Sequence, residues 1–273
     1  MRKVFALYIF ILFSCFELQA QKNEFGLFLG GSSYFGDVGH TNAESAILHT
    51  RPALGFVYKN NMHDYLAFRT TLMAGTVSAD DINSKHLNTQ ARKLNFKSNI
   101  LELSMGFEFN FFAYRIRKRK TVHSPYLFGG LSVFTFNPMG RNASGEWVAL
   151  QELGTEGQGT SANTLQDKYD LVSLAIPFGF GYKANFGTKW AISAEWAWRV
   201  TNTDYLDDVS GVYANAALLD EGANAMANPS GLDIIPGKQR GNSNNNDWYS
   251  FAGVSITYKL RNRPNKCPKA LLP

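Results

Sequence analysis

Cysteine is almost missing from this chain. Its 273 residues hold two, Cys15 and Cys267, so no dense disulfide framework can hold a loop-rich domain together. Charge is sparse as well, at 18% against roughly 25% in a typical soluble domain. Past the leader, no apolar run reaches the roughly 20 residues that a membrane-spanning helix needs. The residue patterns of catalysis are also lacking. The five histidines, His40, His49, His63, His86 and His123, include no pair at zinc-site spacing. There is no Gly-x-Ser-x-Gly elbow and no glycine-rich phosphate loop. His123-Ser124 falls at an expected turn, and no Ser/His/acid set of the kind a barrel lipid hydrolase needs gathers near a strand end. These absences imply a protein that is not an enzyme, with no catalytic residue, no cofactor, no metal and no small-molecule substrate.

Aromatic side chains are plentiful instead, with 21 Phe and 12 Tyr. Rich aromatics with few charges suit a chain that lays much side-chain area against lipid. Residues 1–20 have the layout of a cleaved signal peptide: Arg2 and Lys3, an apolar run from Val4 to Phe16, then Leu18-Gln19-Ala20 before a cut at Gln21. That run is shorter than a spanning helix. Leu12-Phe13-Ser14-Cys15 makes a poor lipidation box, because Phe13 is bulky and little apolar sequence precedes it. Cleavage would leave Cys267 alone, either an inert tail thiol or a partner in an intermolecular disulfide.

Alternation at period two dominates the rest, which is the strand signature. Leu101, Leu103, Met105, Phe107, Phe109 and Phe111 share one face of the clearest segment, opposite Glu102, Ser104, Gly106, Glu108 and Asn110. Such a stripe has the length of a tilted strand crossing a bilayer. Similar segments run near residues 25–29, 53–58, 66–73, 172–183, 190–199 and 248–260. The segment 127–135 is ambiguous in its faces, and Pro177 predicts a local bulge. Links after strands two, four and six are short, and those after one, three, five and seven are long. Alternating link lengths belong to outer-membrane barrels, with short turns in the periplasm. The expected fold is therefore all-β, a transmembrane antiparallel up-and-down barrel of about eight strands over 21–260. Long extracellular loops and a basic periplasmic tail, 261–273, complete it.

Arg69, Glu102, Glu108, Glu195 and Arg199 fall on the expected lumen face, where they could form a charge network that plugs a narrow barrel. Basic residues gather on the expected periplasmic side: Lys59, the cluster Arg115, Arg117, Lys118, Arg119 and Lys120, then Lys183, Lys189, Arg261, Arg263, Lys266 and Lys269. Only Asp64 opposes them. A one-sided field favours a negatively charged partner, and in an exported barrel that partner is not nucleic acid. Asp204, Asp207 and Asp208 could hold calcium, but without EF-hand spacing they read as an ordinary solvated loop.

The opening strand Asn23 to Asp37 (NEFGLFLGGSSYFGD), the run Thr203 to Tyr213 (TDYLDDVSGVY) and the Cys267-Pro268 tail resemble the PorG family. That family supplies an outer-membrane component of the type IX secretion system of Bacteroidetes. The resemblance covers essentially the whole mature chain. It implies a non-enzymatic barrel, set in outer-membrane lipid, that anchors a periplasmic PorK/PorN-like ring. Its contacts would come from the basic cluster and the tail, Arg261, Arg263, Lys266 and Cys267 included. The rival readings are a free-standing small barrel, either adhesin or passive pore, and a barrel lipid hydrolase. Conductance would mark a pore, and lipid cleavage a hydrolase.

Overall fold

A computed structural model describes residues 23–39, 49–114, 116, 122–160 and 167–260. Eight long strands make the wall: β1 (Asn23–Phe35), β2 (Arg51–Asn60), β3 (Leu66–Asp80), β4 (Asn95–Asn110), β5 (His123–Thr135), β6 (Val172–Phe186), β7 (Trp190–Thr201) and β8 (Trp248–Lys259). Each pairs antiparallel with the next. The eighth returns to the first, from Glu24 opposite Lys259 to Phe35 opposite Trp248. The sheet closes, leaving no edge among the barrel strands, so the backbone amides of the wall can pair with one another without water.

The side chains are inverted relative to a soluble domain. Phe107 is 53% exposed while its neighbour Glu108 is 0% exposed. Around the wall Leu27, Leu54, Phe56, Leu103, Leu131, Leu174, Phe180, Trp196 and Ile256 point outward. Along β4 this apolar face ends at Leu101, and the next outward residues are Asn99 and Lys97. Continuous apolar skin on a closed barrel with a charged interior is stable only in a bilayer. The even strand count and unequal rims are those of outer-membrane barrels, and this protein is one.

The ambiguous β5 resolves with Tyr126, Phe128 and Phe134 inside and Leu127, Leu131 and Val133 outside. Gly106 and Gly130 face each other across β4 and β5, and a Cβ on either would lie within 2.2 Å of the partner strand's carbonyl oxygen. Two glycines let the wall close tightly there. The bulge expected at Pro177 is absent. Gly129 pairs with Phe178 and Ser132 with Ala175, so no residue is inserted. The ladder simply lapses between them, because Pro177 has no N–H to donate.

One rim carries the short links 61–65, 111–122 and 187–189, and the other the long links 36–50, 81–94, 136–171 and 202–247. The described parts of the long links collapse over their mouth instead of spreading. Val38, Leu94, Phe136, Leu206 and Val209 extend the apolar core formed by Tyr34, Phe96, Phe134 and Tyr249. Arg92 ties three of them, reaching Asp81 at 3.0 Å and the carbonyls of Asp37 and Arg240 at 2.8 Å. Buried Arg240 adds the fourth by pairing with Glu156 at 3.1 Å.

Candidate functional site

Charge and geometry converge in the lumen, and it is filled. Near the short-turn rim Glu108 lies against Lys59 at 2.9 Å, accepts a hydrogen bond from Lys183, and has Arg69 3.7 Å away. One layer on, Arg69 holds Glu195 with two bonds of 2.9 and 3.1 Å, and the Tyr126 hydroxyl donates to the same carboxylate at 2.7 Å. Towards the long loops Arg199 holds Glu102 with bonds of 2.9 and 3.1 Å, joined by Tyr249 at 2.6 Å. Two-pronged guanidinium–carboxylate pairs are the strongest, most orienting form of this contact. Phe128 lies under Arg69 at 4.0 Å and Phe251 beside Arg199 at 4.6 Å, filling space between the layers. Glu24 accepts from Asn61 at 2.7 Å and Thr257 at 2.9 Å.

Among the described residues, the fully buried charges of this interior balance. Lys59, Arg69, Lys183 and Arg199 stand against Glu24, Glu102, Glu108 and Glu195, all buried. Strand alternation turns them inward, except that Glu24 follows an equally buried Asn23 at the start of β1. Unpaired, any of them would carry a large desolvation cost. The five sequence-expected network residues, Arg69, Glu102, Glu108, Glu195 and Arg199, thus sit together in the lumen.

Two corrections follow for the other charges. Lys59 and Lys183, expected on the periplasmic surface, are buried lumen residues bound to Glu108. Their inward position was visible in the alternation of β2 and β6. Asp204, Asp207 and Asp208 do not form a solvated loop. All three are buried beneath the long-loop cap, because residues 202–247 fold down over the barrel mouth. Among the described residues, no three carboxylate, imidazole or thiol groups gather as a metal site. Arg115, Arg117, Lys118, Arg119, Lys120, Arg261, Arg263, Lys266, Cys267 and Lys269 lie outside the described residues, as do residues 1–22, Cys15 among them.

Both mouths are blocked. At the short-turn end Tyr114 and Ile116 are buried with Ala191 and half-buried Val122. They are held by the Tyr114 N–H on the Asp64 carbonyl at 2.9 Å and by Lys259 on the Ile116 carbonyl at 2.7 Å. At the other end stands the loop cap. An eight-stranded barrel is just wide enough for side chains to fill it, and these do. Purified protein in planar bilayers is therefore expected to show no steady ion conductance, and sustained open-channel current would contradict this packing.

Solved structures of similar layout are eight- to twelve-per-cent matches in sequence. The attachment invasion locus protein Ail of Yersinia pestis, in complex with the heparin analogue sucrose octasulfate, is 8% identical, with 87% of this chain and 98% of that one covered at a TM-score of 0.39. Neisserial surface protein A is 9% identical over 88% and 97%, at 0.42. The outer membrane protein OprG of Pseudomonas aeruginosa is 9% identical over 87% and 96%, at 0.36. No curated protein matches the chain. A family model described as "Domain of unknown function (DUF6089)" matches residues 2–146 and 150–269, and the protein belongs to that family.

Proposed function

We propose that this protein is a non-enzymatic, outer-membrane component of a type IX secretion system, with its short-turn rim in the periplasm docking a PorK/PorN-like ring. The observation that carries the reading is the sealed, charge-neutral lumen. A barrel with no path and no room for a substrate acts through its surfaces. Short turns face the periplasm in outer-membrane barrels, and the basic cluster 115–120 belongs to the link between β4 and β5 on that rim. The tail 261–273 starts from the same rim, after Lys259. A positive rim attracts an acidic partner, and such long-range attraction is screened within about 8 Å at physiological salt. The resemblance of residues 23–37, 203–213 and 267–268 to the PorG family is what supports this choice of machine.

The test is recovery of partners from native membranes together with a secretion assay. Reversing the charges of Arg115, Arg117, Lys118, Arg119 and Lys120 is expected to leave the barrel folded while lowering both partner recovery and secretion. Recovery from wild-type membranes is expected to fall as salt rises. Cys267→Ser is expected to abolish any mixed disulfide seen on non-reducing gels. Wild-type secretion and recovery after both charge reversal and removal of the tail would reject the proposal. A free-standing adhesin, presenting its ordered loop cap, would then be the reading to pursue.

A further inference from the structure

Carboxylates crowd under the long-loop cap. Asp37, Asp204, Asp207 and Asp247 repel one another there, and Asp207 and Asp247 are fully buried. Of the guanidiniums there, Arg92 is committed to Asp81 and Arg240 to Glu156 and Asp208, while Arg141 donates to the Gly145 carbonyl at 3.3 Å. Arg240 and Arg141 line the same recess as Asp207, and Tyr169 donates to Asp208 at 2.6 Å. Isolated buried carboxylates are costly unless they take a partner or a proton.

Hydrogen-bond geometry says where a proton sits. The Tyr34 hydroxyl touches both Oδ2 of Asp207 and Oδ1 of Asp247, the latter at 2.9 Å. One hydroxyl has one hydrogen, so at least one of the carboxyls must donate to the Tyr34 oxygen. Asp207 already accepts the N–H of Val38 on Oδ2 at 3.0 Å and that of Val209 on Oδ1 at 2.9 Å. Asp247 accepts the N–H of Leu206 on Oδ2 at 2.9 Å, while its Oδ1 meets Tyr34 alone. Asp207, with more donors, is the better anion, and the free position for a proton is Oδ1 of Asp247. The chain then runs from protonated Asp247 to Tyr34 to ionised Asp207.

Asp204 is an independent sign of the same condition. It is 7% exposed, and neither buried oxygen makes a hydrogen bond of ordinary geometry, although Ser210 stands near enough to ease its charge. Burial first, then Asp37 and Glu156, push its carboxyl up to about 7. Burial, then Asp207 and Asp204, likewise push Asp247 well above the usual carboxylate range.

We propose that the loop cap is a proton-operated latch, closed while Asp247 holds a proton that it shares with Asp207 through Tyr34. The latch ties link 36–50, through Val38, to link 202–247, through Leu206 and Val209. Loss of the proton leaves two anions on one hydroxyl, with Asp37 and Asp204 adding like charge. A carboxyl whose folded value is raised stabilises the cap fully at low pH, and that stabilisation is lost as pH rises through the folded value.

Hydrogen exchange of the full chain in lipid nanodiscs tests this, read as protection factors so that the chemical rate cancels. In wild type, protection of the Val38, Leu206 and Val209 amides is expected to fall by up to about tenfold per pH unit, for one proton, as pH climbs from the ordinary carboxyl range of the open cap to the folded value, and to level off above it. Barrel-strand amides should not follow. Asp247→Asn keeps a donor towards Tyr34 and an acceptor for Leu206, so its cap should stay closed and insensitive to pH. Asp207→Asn sets an NH2 group against the N–H of Val38 or Val209 and should loosen the cap at every pH. Should either variant fail to fold, wild type itself must show an infrared carboxylic-acid carbonyl band at neutral pH that vanishes in alkali. Flat wild-type protection from mildly acidic pH through to alkali would overturn the proposal. So would absence of that band, or tolerance at Asp207 in place of Asp247. Recovery of protection in alkali on adding calcium would overturn it too, by marking a metal seat in place of a proton.

Discussion

Glu108→Ala is expected to destabilise the barrel by about 3–5 kcal/mol, the cost of stripping one partner from a buried ion pair. Glu108 faces Lys59 and Lys183 directly, with Arg69 behind them. Its removal leaves two ammonium groups in a dry interior with no carboxylate between them. Arg69 still has Glu195, so the damage concentrates on the lysines. The measurement is the denaturant midpoint of the protein refolded in lipid vesicles, followed by the mobility difference between unheated and heated samples. A triple change, Glu108→Leu with Lys59→Met and Lys183→Met, should recover much of the loss, because it removes the charges along with their partner. A loss below about 1 kcal/mol for the single change would show that water reaches the lysines, since surface pairs are worth no more. The same logic makes Glu102→Gln harmful, because Glu102 binds Arg199 through both oxygens and also receives Tyr249.

Phe107→Arg should cost about 2–4 kcal/mol, as a cation does near the bilayer midplane on the lipid face of a barrel. Phe107 points outward between Met105 and Phe109, with Phe68 against it at 5.6 Å between ring centres. The control lies on the same face of the same strand. Lys97 is already a cation there, resting over the Trp147 ring at 4.3 Å, so lipid ends below it. Lys97→Arg is expected to be nearly neutral in the same assay. Equal effects at 97 and 107 would mean that the outward stripe of β4 does not cross lipid at the depth assigned here.

The wall of the barrel was legible because strand periodicity and membrane physics repeat the same message. On β4, Leu101 to Phe109 against Glu102 to Asn110 allows one arrangement only, since a one-residue slip would put two glutamates in lipid. β5 was less legible. Gly129 and Gly130 interrupt its stripe, and large aromatics occupy both of its faces. Only the partners of Tyr126 and Phe128, namely Glu195 and Arg69, fix its inside. Pro177 was recognised as a disturbance but assigned the wrong form. Composition shows a missing donor and does not show whether the register absorbs it.

By itself, the sequence determined the strand class, the inward or outward side of nearly every wall residue and the unequal rims. These are local properties: they follow from period two, turn length and residue type. Tertiary structure alone decided which charges meet. Arg69 and Glu195 are far apart in the chain and touch only because the sheet closes on itself. It also moved Lys59 and Lys183 from the expected basic rim into the lumen, where Glu108 holds them. The loops 36–50 and 202–247 carry no periodicity to read, so nothing in their order announced that Asp207 and Asp247 would meet Tyr34 in a buried cluster. Long-range pairing depends on how loops pack over a mouth formed by other strands, and that information exists only once the barrel has closed.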